Sequence, residues 1–132
     1  MKQCSPAAVA LSFVDCINRS DHRALVAAMS EDHQLEIFNE PPVVGRAANA
    51  AAWLGYLKAF PNYAIHPRQL AESGGVVAIL GHTTGSHLGL SDVEESKLSL
   101  IWVATVENNL VTRWRLVEDT PKNREECGLT FH

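Results

Sequence analysis

A chain of 132 residues fits a single domain, and we take residues 1–132 as that domain. Its hydrophobic fraction of 46% and charged fraction of 20% are those of an ordinary globular protein. A net charge of -4, with 11 Lys and Arg that form no basic run, argues against binding to nucleic acid. No apolar run approaches the ~20 residues of a membrane span. The composition therefore predicts a globular domain with its own core.

The cysteines indicate the compartment. Cys4, Cys16 and Cys127 are far apart and odd in number, and no pair has the spacing of metal ligands. We interpret them as reduced thiols. The apolar run near the N-terminus is broken by Ser12 and Asp15, which does not suit a signal peptide. We expect a cytoplasmic location.

Three helices are expected in the first half of the chain. The segment SPAAVALSFVDCINRSD has Ser5 as a cap and Pro6 in the first turn. HRALVAAM follows the second expected cap, Asp21. The alanine-rich segment GRAANAAAWLGYLKAF ends before Pro61, because a proline disfavours helix in the residue that precedes it.

Strands account for most of the remaining chain. HQLEIF predicts a short strand, and NEPPVVGR predicts a loop, because two prolines cannot join a ladder. Four strand-like segments follow: YAIHPRQL, VVAILGHTTGSH, KLSLIWVATV and LVTRWRLVE. The last two are joined by ENN, which predicts a hairpin turn. This order predicts an α+β fold with helices on one face of a curved antiparallel sheet.

Alternation in the segment KLSLIWVATV gives apolar side chains to both faces. Trp102 shares one face with Leu100, and Ile101 and Val103 lie on the other. Helices would cover only one face of the sheet. The second apolar face predicts a homodimer that forms through the sheet.

Several motifs, in their order along the chain, resemble the nuclear-transport-factor-like superfamily and in particular its SnoaL-like proteins. They are NRSDHRALVAAMSEDHQLEI, PPVVGR, FPNY, TGSHLG and LVTRWRLVEDT, and together they cover nearly the whole chain. The resemblance implies a cystatin-like cone, in which a curved sheet wraps a long helix, with two further N-terminal helices and an internal pocket. Members include ketosteroid isomerases, polyketide cyclases, limonene-epoxide-type hydrolases and binders without activity, so the fold does not settle the function.

A metal site is not expected. His82 and His87 are five residues apart on a predicted strand, so they point to opposite faces. No cysteine or carboxylate lies near them at ligand spacing. We expect neither a metal nor another cofactor.

For two activities of the family, this sequence lacks residues that the reaction needs. The resemblance puts the tyrosine, base and buried acid of the isomerases near Phe13, Ile37 and Trp102, and none of these can do that chemistry. In the epoxide hydrolases an acid follows a Trp-Arg pair at a fixed spacing. Asp119 stands at that spacing after Trp114 and Arg115. Their second pair, an arginine and an acid, would fall near His82 and Thr84, where neither residue type occurs.

The cyclases imply one acid–base group at the end of the last strand. Resemblance selects Asp119, whereas alternation from Trp114 selects Glu118. An aromatic pocket would raise the pKa of whichever carboxyl group is buried. His82 and His87 are the candidate polar partners. Without a bulge only one of these histidines can face the pocket, and His87 matches the histidine of the family motif.

The sequence therefore predicts a cone with a pocket for a small apolar, ring-containing metabolite. The expected ligand-binding residues are Phe13, Trp53, Tyr56, Trp102 and Trp114, with His82 on the same wall. One hypothesis is a cofactor-independent enzyme of the cyclase, isomerase or hydrolase kind that uses acid–base catalysis. The alternative is a non-catalytic ligand-binding or dimerisation domain of the same fold.

Overall fold

The computed structural model describes residues 4–129, and within that range it has five helices and six strands. The helices are α1 (Pro6–Asn18), α2 (His22–Ala27), α3 (Arg46–Ala59), α4 (Asp92–Glu95) and α5 (Pro121–Glu126). The strands are β1 (Met29–Ile37), β2 (Val43–Val44), β3 (Ala64–Ser73), β4 (Val76–Thr84), β5 (Leu100–Glu107) and β6 (Leu110–Glu118). The predicted α+β class is confirmed. None of the helices in this range has the length and hydropathy needed to cross a membrane.

The first two helices begin at the caps that the sequence predicts. The Ser5 hydroxyl accepts a hydrogen bond from the Ala8 N–H at 3.1 Å, and the Asp21 carboxylate accepts one from the Ala24 N–H at 3.1 Å. Each bond satisfies a main-chain donor that the first helical turn leaves without a partner. Helix α3 ends at Ala59, two residues before Pro61.

The strands form one sheet in the order β2-β1-β6-β5-β4-β3. All neighbours are antiparallel except β1 and β6, which run parallel, so the sheet is mixed and not purely antiparallel. Parallel neighbours need a crossover connection, and here the whole chain from β2 to β5 supplies it. Strand β2 lies within the predicted loop. It escaped prediction because its two residues follow Pro41 and Pro42 directly, and those prolines stay outside the ladder.

Helices cover the inner face of the sheet. Helix α1 contacts strands β3 to β6, and α3 contacts β1 and β2. Phe13 on α1 is fully buried, with its ring centroid 4.7 Å from that of Trp114 on β6. Phe13 is therefore part of the core and not a ligand-binding residue, which corrects its expected role.

The outer face is covered by the chain's own C-terminal segment. Ile101 and Val103 are only 0% and 8% exposed, and they form an apolar cluster with Leu129. The expectation that these two side chains need a second copy of the chain for cover is wrong, because α5 and the turn after it return the chain to the sheet. The homodimer itself stays a prediction. An uncovered apolar face of the sheet no longer supports it.

An ion pair fixes that C-terminal segment. Arg124 on α5 donates to Asp119 through Nε at 2.5 Å and through Nη2 at 2.7 Å. This hydrogen-bonded guanidinium lowers the pKa of Asp119 below its ordinary 3.8, although burial acts in the opposite direction. Beyond α5, the Leu129 N–H donates to the Arg124 carbonyl at 2.8 Å, and this bond turns Leu129 back to the sheet.

Leu129→Ala should weaken the C-terminal cover. Leu129 is 3% exposed, so its truncation should lower the free energy of unfolding by about 2–5 kcal/mol. Urea unfolding followed by circular dichroism measures this change. Leu98→Ala is the matched control, because Leu98 is 47% exposed and its loss should change stability by no more than ~0.5 kcal/mol. Equal effects of the two variants would show that Leu129 does not cover the sheet.

Asp119→Asn should remove part of the acid sensitivity of the fold. A carboxyl group whose pKa is lowered by folding adds stability above its ordinary 3.8, and this contribution is lost as the pH falls through the lowered pKa. The variant should be less stable than the parent at pH 7 and should lose less stability between pH 5 and pH 2. Urea titrations across that range test this, with Glu126→Gln in the exposed Lys122–Glu126 pair as the control. An acid dependence equal to that of the parent would contradict the account.

Candidate functional site

A cavity of ≈ 370 Å³ lies between α3 and the inner face of the sheet. Its wall is mainly apolar, and six of its side chains carry benzene or indole rings: Phe38, Trp53, Tyr56, Tyr63, Trp102 and Trp114. The other lining residues are Leu35, Ile37, Glu40, Val43, Ala52, His87 and Leu116. The structure therefore brings together Trp53, Tyr56, Trp102 and Trp114, as the sequence predicts.

Helix α3 brings two of the rings to the cavity. The buried side-chain amide of Asn49 donates to the main-chain carbonyls of Gly45 at 2.8 Å, Val43 at 3.0 Å and His33 at 3.1 Å. These bonds join the first turn of α3 to β1 and β2. Trp53 and Tyr56 follow Asn49 by four and seven residues, so they lie on the same face of the helix and reach the cavity.

Tyr56 and His87 form the polar part of the wall. The Tyr56 hydroxyl lies 2.9 Å from His87 Nδ1, and the His87 main-chain N–H donates to the same hydroxyl oxygen at 3.3 Å. The hydroxyl can accept from the main chain and donate its own proton to Nδ1 at the same time. In this arrangement the imidazole is neutral and carries its proton on Nε2. Burial of Tyr56 raises its pKa, so the hydroxyl keeps its proton at neutral pH.

A turn after β4 directs His87 to the cavity. Strand β4 ends at Thr84, and Gly85 then takes a φ of 68°, a conformation that side chains disfavour. A Cβ atom at Gly85 would also lie only 2.4 Å from the Asn62 carbonyl oxygen. The turn therefore needs glycine, and it places His87 beside Tyr56.

His82 lies on the outer face of the sheet, so the expectation that it lines the cavity is wrong. Its ring stacks on that of His66 with the centroids 4.7 Å apart, and Arg68 donates to its Nδ1 at 3.2–3.3 Å. Burial lowers the pKa of His82, and the neighbouring His66 and Arg68 lower it further. Strand alternation put His82 and His87 on opposite faces, and of the two it is His87 that lines the cavity.

Neither predicted acid lines the cavity. Asp119 is paired with Arg124 beside α5, and its pKa is lowered, not raised as expected for a buried acid. Glu118 lies on a separate, more polar pocket of ≈ 280 Å³ together with Arg115 and Asn123. On β6 the lining of the cavity ends at Leu116, two residues before Glu118. The end of the last strand therefore brings no carboxylate to this cavity.

Glu95 is a buried carboxylate that the sequence did not reveal. It is 1% exposed, and it accepts hydrogen bonds from the Thr83 hydroxyl and, at 3.5 Å, from the Ser86 N–H. Burial raises the pKa values of Tyr56 and Tyr63, and the charge of Glu95 raises them further. Its helix, α4, has only four residues and shows no periodicity, so the one available signal was the capping serine in SDVEES.

Chemically, the site offers an apolar ring-lined space with one hydroxyl–imidazole pair. Among residues 4–129, no group of three or more His, Cys, Asp or Glu side chains is placed to hold a metal ion.

Solved structures with this fold are similar over most of their length. An uncharacterised cystatin-fold protein from Novosphingobium aromaticivorans superposes with a TM-score of 0.75 at 17% identity, over 88% of this chain and 100% of that one. A polyketide cyclase candidate from Sinorhizobium meliloti gives 0.69 at 16% identity, over 83% and 93% of the two chains. TerC, co-crystallised with polyporic acid, gives 0.66 at 16% identity, over 94% and 99%. At these identities the likeness shows the fold alone.

No curated protein matches the sequence. The model of the SnoaL-like domain, however, matches residues 10–114, which is most of the chain. That match and the shared cystatin-like fold confirm the resemblance that the motifs indicate. The chain belongs to the SnoaL-like family.

Proposed function

We propose that this protein binds a small apolar, ring-containing molecule in the cavity beneath α3. The observation that carries the proposal is the wall of the ≈ 370 Å³ cavity, in which all three tryptophans of the chain stand beside one polar pair. Ligand sites in proteins are typically ~300–1,000 Å³ in volume, mainly apolar, with a few polar groups that orient the ligand. The co-crystal of TerC with polyporic acid supports the proposal by analogy of fold.

Tyr56 and His87 would orient the bound molecule. When Nδ1 accepts from the Tyr56 hydroxyl at 2.9 Å, the imidazole Nε2 is a donor for an oxygen of the ligand. A ligand with one polar substituent on an apolar ring system suits this wall. The proposal concerns a single chain, because Ile101 and Val103 do not require a dimer. A reducing, cytoplasm-like compartment fits the free thiols of Cys4, Cys16 and Cys127.

A catalytic function is the second candidate, and the contact between Tyr56 and His87 favours it. A cofactor-independent cyclase, isomerase or hydrolase needs one group that moves a proton at the substrate. Since Asp119 and Glu118 lie outside the cavity, His87 is the remaining predicted residue in position for that role. To act as a base, His87 would need its Nε2 free of a proton, so its Nδ1–H would then donate to the Tyr56 hydroxyl oxygen.

Binding can be measured through the tryptophans. The neutral probe N-phenyl-1-naphthylamine should quench tryptophan emission by energy transfer, in a saturable titration, because Trp53, Trp102 and Trp114 all line the cavity. Ala52→Phe places a ring in the cavity and should weaken binding by about 10-fold or more, in line with the cost of overfilling a packed site. Ala51→Phe is the matched control, since Ala51 is exposed and does not line the cavity. Equal affinity in the two variants would place the probe elsewhere and contradict the proposal.

The catalytic candidate has its own test. In D2O, an enzyme that abstracts a proton beside a carbonyl should speed deuterium uptake at C1 of 2-tetralone, a ring ketone, as followed by NMR. His87→Gln should slow that exchange by on the order of 100-fold, the typical contribution of a positioned base. Tyr56→Phe should slow it less, because it removes only the partner of the imidazole. Bound 2-tetralone without accelerated exchange would contradict catalysis at this site and leave the binding function standing.

A further inference from the structure

The charges around the cavity have one sign. Glu40, at the exposed mouth, is the one charged residue among those that line the cavity, and no lysine or arginine is among them. The arginines of β6 do not line the cavity, and both Arg113 and Arg115 bind the carboxylate of Glu36, at 2.7 Å and 3.0 Å. An anionic ligand would therefore leave water without meeting a cation on the wall.

A second carboxylate, that of Glu95, acts on two tyrosines of the wall through its charge. The hydrogen-bond partners of Glu95 are the neutral Thr83 hydroxyl and Ser86 N–H, although the carboxylate is almost fully buried. Buried carboxylates are normally paired with a cation. Arg68, a basic residue at that end of the sheet, donates instead to the Ser96 carbonyl at 2.8 Å and to His82. The charge of Glu95 therefore acts on Tyr56 and Tyr63 of the wall, and within residues 4–129 no paired cation offsets it.

Aromatic rings on the cavity wall favour a cation over an anion. Tyr56 and Tyr63 meet edge to face with their centroids 5.0 Å apart and their planes at 86°, and Trp53 stands at 84° to Tyr56 with 6.3 Å between centroids. All three of these rings line the cavity. The face of an aromatic ring is negative, so it attracts a cation within ~6 Å of its centroid. His87 adds no positive charge when its Nδ1 accepts from the Tyr56 hydroxyl.

We propose that the cavity selects ring-containing molecules that carry a positively charged nitrogen, and that it rejects ring carboxylates and phosphates. This proposal rests on the binding function proposed above and adds the charge of the ligand to it. The ring system lies against the tryptophans, and the ammonium group lies beside the tyrosines or towards Glu40, where the negative charge acts. The same ring with a neutral substituent binds more weakly.

Three ligands that share one ring system test this inference: 1-naphthylmethylamine, which is an ammonium at pH 7, 1-naphthalenemethanol, which is neutral, and 1-naphthoate. Their dissociation constants are measured by displacement of N-phenyl-1-naphthylamine. We expect the ammonium to bind at least about 10-fold more tightly than the alcohol, and the carboxylate to bind most weakly. A carboxylate that binds as tightly as the ammonium, or an alcohol equal to it, would overturn the charge selection. If none of these molecules binds, and the probe does not bind either, the binding function itself has failed.

Two variants locate the source of the selection. Glu40→Gln and Glu95→Gln should each bring the affinity of the ammonium closer to that of the alcohol. Glu94→Gln is the control, because Glu94 is exposed and adjacent to Glu95, and its substitution changes the net charge by the same amount. Glu40 is exposed at the mouth, so its substitution tests the inference even if Glu95→Gln does not fold. The inference is overturned if Glu40→Gln still prefers the ammonium to the alcohol as strongly as the parent does, and Glu95→Gln either does the same or does not fold.

Discussion

The side-chain amide of Asn49 joins α3 to the sheet at one buried point, and the geometry of the cavity follows from that joint. Its hydrogen bonds to the carbonyls of His33, Val43 and Gly45 connect the first helical turn to β1 and β2. Once that turn is fixed, a helix of 3.6 residues per turn places Trp53 and Tyr56 over the inner face of the sheet. A helix that started elsewhere would not bring these rings to the same cavity as the tryptophans of β5 and β6.

The two faces of the sheet are closed by different parts of the chain, and this division determines which polar groups are available to a ligand. The C-terminal segment covers the outer face, and Asp119 is engaged by Arg124 to hold it there. The inner face is covered by α1 and α3 except around the cavity. The polar group at that cavity comes from the turn after β4, where Gly85 lets the chain bring His87 to Tyr56.

Local signals predicted the longer elements, whereas the short elements β2, α4 and α5 and their contacts escaped prediction. Caps and alternation identify α1, α2 and the longer strands because each depends on residues near in sequence, and the same alternation brings Trp102 and Trp114 to the cavity. The role of Asp119 depends on α5, which has six residues and no apolar stripe, so sequence alone gave no reason to pair Asp119 with Arg124. Glu95 was missed for the same reason, because burial of a residue on a four-residue helix is decided by the strand it packs against.

The most direct measurement is a crystal structure of the protein with 1-naphthylmethylamine bound. We expect the naphthalene ring to lie in the cavity beneath α3, in contact with Trp53, Trp102 or Trp114. We expect the ammonium to point to the carboxylate of Glu40 or to the side of Glu95. A ring bound in the polar pocket beside α5, next to Arg115 and Glu118, would contradict the account, as would a cavity ligand whose ammonium points away from both carboxylates.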